Sequence, residues 1–541
     1  MTNGLPEPEP YIYTDEDVTK AFHSYKNFKD GNFREYQLET IIRVVNSELP
    51  VIIIVAPTGS GKSILGAVIC KLLGNSAYLV HSKALQEQIH HDFPEFALLK
   101  GRNNYECINP DVMNFTKADN DKITKRTASD CPFREPRRKC GEFDECPYKV
   151  QKDIVVHRSL RILNYSYWLL ESNYVGKLSN LNVLICDEAD KLEDILLKTV
   201  SVQVSERQMK KFGIKEPRYK TACENGLKSW IEWAEESYDE VDSRYRRMEK
   251  VDGIPKNVLE EYATMISKLD RFRKIVDATW IYQGGEGKYG QFWKFMPTWI
   301  TPEITDEILR RHANKIIMMS ATMPPVQTVS QILGIPMMEM EYITVPSTFD
   351  PKNRPIHILN AGRLSAKTTD TEFPKMVECI KEILRKHKND KGLIHTSSYK
   401  LAKLIMDNCD EDGRMMTHNT DNRAEMLERF KKSEKPVVMV SPSMERGVSL
   451  DDDLCRAILV VKMPFLDLGD KLTSTRLYGS GGAGKFWYKA TSAQTLEQQC
   501  GRGVRSKDDY CEIYLLDSFI DDMIMKYPLM FSQYFRDCII W

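Results

Sequence analysis

Val51–Ser63 reads VIIIVAPTGSGKS. Val51 to Val55 are all β-branched and apolar, the composition of a strand buried on both faces of a parallel sheet. Ala56–Ser63 then matches the spacing of a phosphate-binding loop, with Ala56 at its first position. A helical run, Ile64 to Leu73, follows at once. In the order strand, loop, helix, the segment Ala56, Pro57, Thr58, Gly59, Ser60, Gly61 brings backbone N–H groups, the positive end of the helix and the Lys62 ammonium to the same phosphates. Gly59 and Gly61 let the backbone approach that closely. Ser63 offers a hydroxyl to a magnesium ion. An ordinary glycine-rich turn is the alternative, and the strand before and helix after argue against it.

A chain of 541 residues is too long for one hydrophobic core and is expected to form several domains. With 42% hydrophobic and 28% charged residues it has the composition of a folded soluble protein. The net charge of -1 means that any nucleic-acid binding depends on local basic surface and not on a global field. The acidic, proline-rich start, MTNGLPEPEP, is unlike a signal peptide. No apolar run approaches the ~20 residues needed to span a bilayer. These features lead us to expect no membrane association and a reducing cell interior. There, 13 cysteines are poor disulfide candidates, and a cluster among them is read first as metal or iron–sulfur ligation.

Upstream of the loop, Leu38, Ile41, Ile42 and Val45 share a helical face, with Arg34 and Gln37 outside it. A glutamine shortly before a phosphate loop can read an adenine edge with its paired donor and acceptor; an exposed polar helix position is the alternative. Downstream, Ala77 to His81 reads as a second buried strand, with SKALQEQ (Ser82 to Gln88) beyond its carboxyl end. Leu181 to Asp190, LNVLICDEAD, is an apolar strand ending in two carboxylates. Asp187 is placed to hold Mg²⁺ and Glu188 to orient and deprotonate an attacking water. Lys315 to Thr322, KIIMMSAT, is a further buried strand, with Ser320 and Thr322 placed to link the nucleotide site to the track along which the protein acts.

Two segments interrupt the strand–helix alternation. From Lys100 to about Val155 the chain is hydrophilic and carries Cys107, Cys131, Cys140 and Cys146, spaced C-x23-C-x8-C-x5-C. Structural zinc sites pair ligands two to four residues apart, so these wider gaps favour a four-thiolate cluster of the [4Fe–4S] kind, with zinc as the alternative. The flanks are basic: Lys122, Lys125, Arg126, Arg134, Arg137, Arg138 and Lys139. They suit phosphate contacts, or they are a solvated charge run. Arg102, Asn103, Asn104 and Tyr105 combine a cation, amides and a ring, which suits a single strand. From Val200 to Thr298 the period turns helical, with stripes at Leu227, Trp230, Ile231, Ala234 and Tyr238, and at Leu259, Tyr262, Ile266, Leu269, Phe272 and Val276. Arg244, Arg246 and Arg247 lie between these stripes as further candidates for nucleic-acid contact, or as a solvated face.

Beyond Pro346, Gly392–Ser398, Pro436–Ser441, Arg456–Val461 and Cys511–Asp517 read as buried strands among helices, a second α/β lobe without a phosphate loop. It carries QQCGRGVRS, Gln498 to Ser506, in which Arg502 and Arg505 are expected on one helical face, placed to reach a γ-phosphate.

Taken together, APTGSGKS, SKALQEQ, KGRNNYEC with the three later cysteines, ILNYSYWLL (Ile162 to Leu170), DEAD, SAT, LIHTSSY, SPSMERGVSL, VKMPFLDL and QQCGRGVRS resemble the iron–sulfur DNA helicases of the XPD/DinG group in superfamily 2. The resemblance covers nearly the whole chain. It implies an α/β fold of two RecA-like lobes, with an iron–sulfur domain and a helical Arch-type domain inserted in the first. The corresponding boundaries are 1–100, 156–199 and 301–340 for lobe 1, 101–155 for the iron–sulfur domain, 200–300 for the Arch-like insertion and 341–541 for lobe 2. It also implies a monomeric ATP- and Mg²⁺-dependent enzyme carrying a [4Fe–4S] cluster. Such an enzyme moves 5′ to 3′ on single-stranded DNA and opens forked duplexes in repair, replication or recombination. In this reading Lys62, Asp187, Glu188, Gln498, Arg502 and Arg505 are catalytic.

The chain departs from the group at three places. Asp190 stands where the group has His. Ser449 stands where an Asp is common, which puts the coupling of hydrolysis to movement in question. The first helical pattern opens at Phe33, leaving no room for the exonuclease domain of some DinG relatives. A translocase that displaces proteins with little unwinding, and a nucleotide-gated redox-sensing DNA-binding component, are the alternatives.

Overall fold

A computed structural model describes residues 11–110, 126–131, 140–218, 224–251, 254, 256–287, 290–364, 369–444, 450, 452–504 and 506–540. Val51–Val55 forms strand β1, buried along its whole length. β2 (Ser76–Val80), β3 (Ala97–Leu98), β4 (Leu160–Asn164) and β5 (Leu181–Asp187) follow. Burying each of these Val, Ile or Leu side chains is worth about 1.5–3 kcal/mol, which is why uninterrupted apolar runs become central strands. β6 (Val202–Ser205), β7 (Trp280–Gly287) and β8 (Gly290–Pro297) form a small sheet of their own, while β9 (Ala313–Ser320) and β10 (Met340–Thr344) return to the first sheet.

That first sheet has seven strands in the order β10-β1-β9-β5-β2-β4-β3. Its pairings are parallel: Asp187 lies opposite Met319 across β5 and β9. Beside β1, Ile316 N–H donates to Pro50 O at 2.8 Å and Ala56 N–H to Ser320 O at 3.0 Å. The carboxyl ends of these strands form the edge at which open α/β sheets bind ligands.

The second large sheet contains β11 (Ile356–Gly362), β12 (Gly392–His395), β13 (Met415–Thr417), β14 (Val438–Ser441), β15 (Ala457–Val460), β16 (Glu512–Asp517) and β17 (Ile539–Ile540). Its order is β13-β14-β12-β15-β16-β11-β17, parallel throughout. Alternation along the strands sends Leu393, Met439, Ile458 and Ile513 into one core, and Ile394, Val440, Leu459 and Tyr514 into the other. Both faces are covered, as parallel sheets require.

The chain divides into two compact units. One comprises Met1–Ile54, Ser63–Met319 and Ser330–Ile343; the other takes the loop Val55–Lys62 and Ser320–Val329 together with Thr344–Trp541.

Several expectations need correction. The segment 200–300 is not all helical: beside helices Glu206–Phe212, Glu224–Glu249 and Lys256–Ile275 it holds the antiparallel sheet β6-β8-β7. Here Trp293 and Phe295 are buried while Lys294 between them is only partly so, a period of two over too short a run to stand out beside two long helical stripes. The boundary at 340/341 cuts β10, whose neighbour is β1, with Val345 N–H donating to Val55 O at 2.8 Å. The boundary at 155 falls inside helix Pro147–His157. A capped helix, Asp15–His23, stands before the pattern that opens at Phe33. Among the described residues, no helix is long and apolar enough to cross a membrane.

Candidate nucleotide site and cysteine segment

The turn after β1 uses left-handed backbone at Gly59 (φ 83°) and Gly61 (φ 82°), which explains glycine at both positions. Lys62 opens helix Lys62–Leu73. Its Nζ donates to Ala56 O at 3.0 Å and Pro57 O at 3.3 Å, so the ammonium lies over the loop that the sequence identified. Arg34 and Gln37 meet each other: Arg34 N–H donates to Gln37 Oε1 at 2.8 Å, and Gln37 is buried at the start of its helix after a left-handed Tyr36 (φ 66°). This corrects the expectation that Gln37 lies on an exposed helix position if it does not read a base.

Asp187 is held by a residue that sequence reasoning passed over. Tyr78, in the middle of β2, donates from its hydroxyl to Asp187 Oδ2 at 2.8 Å, and the Ser63 side chain lies close to that hydroxyl. Burial, with Asp187 adjacent, pushes the Tyr78 phenol well above its ordinary value, so it stays a donor at any working pH. The Asp187 carboxylate also accepts from Glu188 N–H at 2.8 Å, and its backbone oxygen accepts from the Tyr165 hydroxyl at 2.7 Å. Glu188 sits in left-handed backbone (φ 52°), a conformation disfavoured for side chains of its size and typical of functional turns. Its Oε2 pairs with Lys191 Nζ at 2.9 Å. A tyrosine within an otherwise apolar strand, and a lysine one turn past the acidic pair, were the available signals.

Within the second unit, Gln498 lies near the end of helix Gly481–Cys500 and donates from Nε2 to Thr322 Oγ1 at 2.9 Å. Gln494, one turn earlier and not anticipated, donates to Thr322 O at 2.9 Å. The hydroxyl at the end of KIIMMSAT is thereby tied to QQCGRGVRS. Arg502 does not continue that helix, because Gly501 and Gly503 end it; its Nε folds back onto Gln498 O at 2.8 Å. The expectation of Arg502 and Arg505 on one helical face is therefore corrected, and Arg505 lies outside the described residues. Burial and the neighbouring Arg502 push the His395 imidazole down to about 3, so it is neutral at physiological pH.

Glu497, beside Gln498, is buried, and burial holds its carboxyl up at about 7 against an ordinary 4.5, with Arg354 and Arg536 partly opposing. The folded state thus binds this proton more tightly than the unfolded chain. The stability it contributes is whole below the unfolded value and is lost as pH rises through the folded one. Thermal unfolding followed by circular dichroism is expected to show Tm falling by a few degrees between about pH 5 and 8, and Glu497→Gln to flatten that slope.

In the cysteine segment, Cys107 N–H donates to Arg126 O at 2.9 Å, and Cys146 precedes helix Pro147–His157. Burial pushes the Cys107 thiol up, with Cys140 and Cys146 close enough to add to the effect. The buried Asn109 amide donates to Cys140 Sγ at 3.4 Å. All four thiols, Cys131 included, are partly exposed and none is in a disulfide, so the donor set has the chemistry an iron–sulfur cluster needs. Cys140 and Cys146 both come within electrostatic reach of Cys107. Among the described residues no three or more His, Cys, Asp or Glu are gathered closely enough to hold a metal ion.

The nucleic-acid candidates fare differently. Arg102 Nη1 reaches both oxygens of Glu260, at 3.0 and 2.8 Å, and its guanidinium lies over the Tyr148 ring. Tyr105 accepts from Lys100 N–H at 3.0 Å and meets Tyr148 edge-on. These contacts account for Arg102 and Tyr105 without nucleic acid. Asn103 accepts from Asn104 at 2.9 Å. Arg244 and Arg246 pair with Glu240 and Asp242 on their own helix, and Arg247 bonds to Ser243 O. Arg137, Arg138, Lys122, Lys125, Arg134 and Lys139 lie outside the described residues, as does Ser449.

Comparison with known proteins gives two family matches. Residues 380–537 match the helicase C-terminal domain family, and residues 30–195 match the family described as type III restriction enzyme, res subunit. The ATP-dependent DNA helicase CHL1 of Vanderwaltozyma polyspora is 26% identical over 167 residues, 26% of this chain and 20% of that protein. CHL1 of Saccharomyces cerevisiae is 30% identical over 95 residues, 15% of this chain and 11% of that protein. The Regulator of telomere elongation helicase 1 homolog of Drosophila virilis is 20% identical over 265 residues, 43% of this chain and 26% of that protein. The chain thus spans about a tenth to a quarter of the length of these relatives. Among solved structures, one described as an XPD helicase superposes with a TM-score of 0.60 at 15% identity, covering 92% of this chain and 98% of the other. Xpd4 of S. tokodaii superposes with a TM-score of 0.54 at 14% identity, covering 94% and 99%. These likenesses carry the fold: two RecA-like lobes.

Proposed function

The chain belongs to the XPD-like family of superfamily-2 helicases, and on that premise we propose that it is an ATP-dependent DNA helicase which moves 5′ to 3′ on single-stranded DNA and opens forked duplexes in DNA repair, replication or recombination. The observation that carries this reading is the Tyr78 hydroxyl held at 2.8 Å on Asp187, the first carboxylate of the acidic motif, with Ser63, the residue after the phosphate-loop lysine, close beside it. Ser63 and Asp187 would hold Mg²⁺, which when bound neutralises charge on the phosphates. Lys62 and the amides around Gly59 and Gly61 bind those phosphates. Glu188 orients water and takes its proton, with Lys191 holding the carboxylate in place. Arg502 and Arg505 stabilise the departing γ-phosphate. Thr322, bonded to Gln498, carries the nucleotide state to the second lobe. Parting one base pair loses ~1.4 kcal/mol of stacking on average, within reach of one nucleotide hydrolysed per step. The protein works as a monomer inside the cell.

Turnover of ATP by the purified protein, with and without single-stranded DNA, tests the assignment. Strong stimulation by the strand is expected; equal turnover without DNA contradicts a DNA motor.

Cys107, Cys131, Cys140 and Cys146 would hold a [4Fe–4S] cluster, which when bound cross-links the segment 107–146. The nearness of Cys140 and Cys146 to Cys107 supports the choice. The segment they anchor is the wedge that parts the duplex. Cys131→Ser is expected to lower unwinding about tenfold or more, along with iron content, while nucleotide binding stays measurable. Normal unwinding by an iron-free protein would sink the wedge.

A further inference from the structure

Tyr78 lies in β2, whose five residues are all buried. A phenol placed there brings a polar atom into the core, and an orphaned hydroxyl would cost about 1–3 kcal/mol. The ring is accommodated at the expense of helix propensity in the neighbouring helix: a Cβ on Gly66 would stand 2.5 Å from Tyr78 Cε2 and 2.9 Å from Met319 Cε. Glycine in a helix interior costs about 1 kcal/mol relative to alanine. Phenylalanine would fill the same space without needing partners, so packing alone does not account for the hydroxyl. What the hydroxyl does is donate to Asp187 Oδ2 at the end of β5, 2.8 Å away, with Ser63 at the start of the neighbouring helix close beside it. With Oδ2 held by Tyr78 and Oδ1 by Glu188 N–H, the Asp187 carboxylate is fixed in orientation. Groups that orient metal ligands in this way tune affinity without touching the metal.

Resting on the reading of Ser63 and Asp187 as the magnesium-side groups, we infer that Tyr78 is a positioning residue that fixes the Asp187 carboxylate beside Ser63 and so sets how much Mg²⁺ the protein needs to hold nucleotide. The test is Tyr78→Phe in the full chain, with binding of a fluorescent ADP analogue titrated against Mg²⁺ concentration. The half-saturating Mg²⁺ is expected to rise about tenfold, while nucleotide affinity at saturating Mg²⁺ changes little. Tyr165→Phe is the comparator, since it removes a hydroxyl bonded to the Asp187 backbone oxygen. It is expected to lower Tm and leave the Mg²⁺ midpoint in place. A wild-type midpoint in Tyr78→Phe overturns the inference, as does an equal shift in Tyr165→Phe. Nucleotide binding by the wild-type protein without any dependence on Mg²⁺ overturns the assignment of Ser63 and Asp187 themselves, and the inference with it.

Discussion

Lys62→Ala is expected to lower DNA-stimulated ATP turnover about a hundredfold or more while leaving the fold intact. Lys62 Nζ lies against the loop after β1, 3.0 Å from Ala56 O and 3.3 Å from Pro57 O. A cation so placed acts on charge that grows during phosphoryl transfer, and removing one such stabilising contact costs on the order of 10²–10³ in rate. The loop itself does not depend on that side chain, because its turn is set by the left-handed Gly59 and Gly61. Thermal unfolding should therefore shift little. The check is a steady-state ATPase assay beside a melting curve; turnover near the wild-type rate in a folded variant refutes the assignment of Val51–Ser63.

Glu188→Gln is expected to separate binding from hydrolysis. The glutamine keeps the shape of the side chain and the left-handed turn, but loses the negative charge that pairs with Lys191 at 2.9 Å and the basicity that takes a proton from water. General-base catalysis is worth roughly 10²–10⁴-fold, so turnover should fall into that range. ATP affinity should change little, because phosphate contacts come from Lys62 and the loop amides. Equilibrium binding of labelled ATP alongside single-turnover hydrolysis measures both quantities. Loss of binding together with hydrolysis would assign Glu188 to holding nucleotide and not to activating water.

The strands that build the two lobes were legible because their signal is local. VIIIV, LIC, IIMM and AILV are apolar without interruption, and such runs are buried in the lobes. The acidic pair and the glycines of the loop are equally local, since each demands a particular backbone at its own position. What escaped depends on distance. Tyr78 reads as one more residue of a β-strand until its partner, 109 positions away, is beside it. Helix Gly481–Cys500 begins GGAG, a composition that speaks for a loop. It forms because Gly484 lets that helix pass close to the preceding one, where a Cβ would stand 1.9 Å from Arg476 O. Close packing overrides propensity there. The insertion sheet was missed for the opposite reason, its alternation being short beside two long helical stripes. Arg102 shows that residue type alone cannot separate a phosphate contact from an ion pair: Glu260 lies 158 positions away.

Strand separation on duplexes carrying a single 5′ or 3′ tail, with ATP and Mg²⁺, tests the central claim most directly. Separation of the 5′-tailed and forked substrates, dependent on hydrolysis and absent in Lys62→Ala, is the predicted result. A protein that hydrolyses ATP on single-stranded DNA yet separates neither substrate would contradict it.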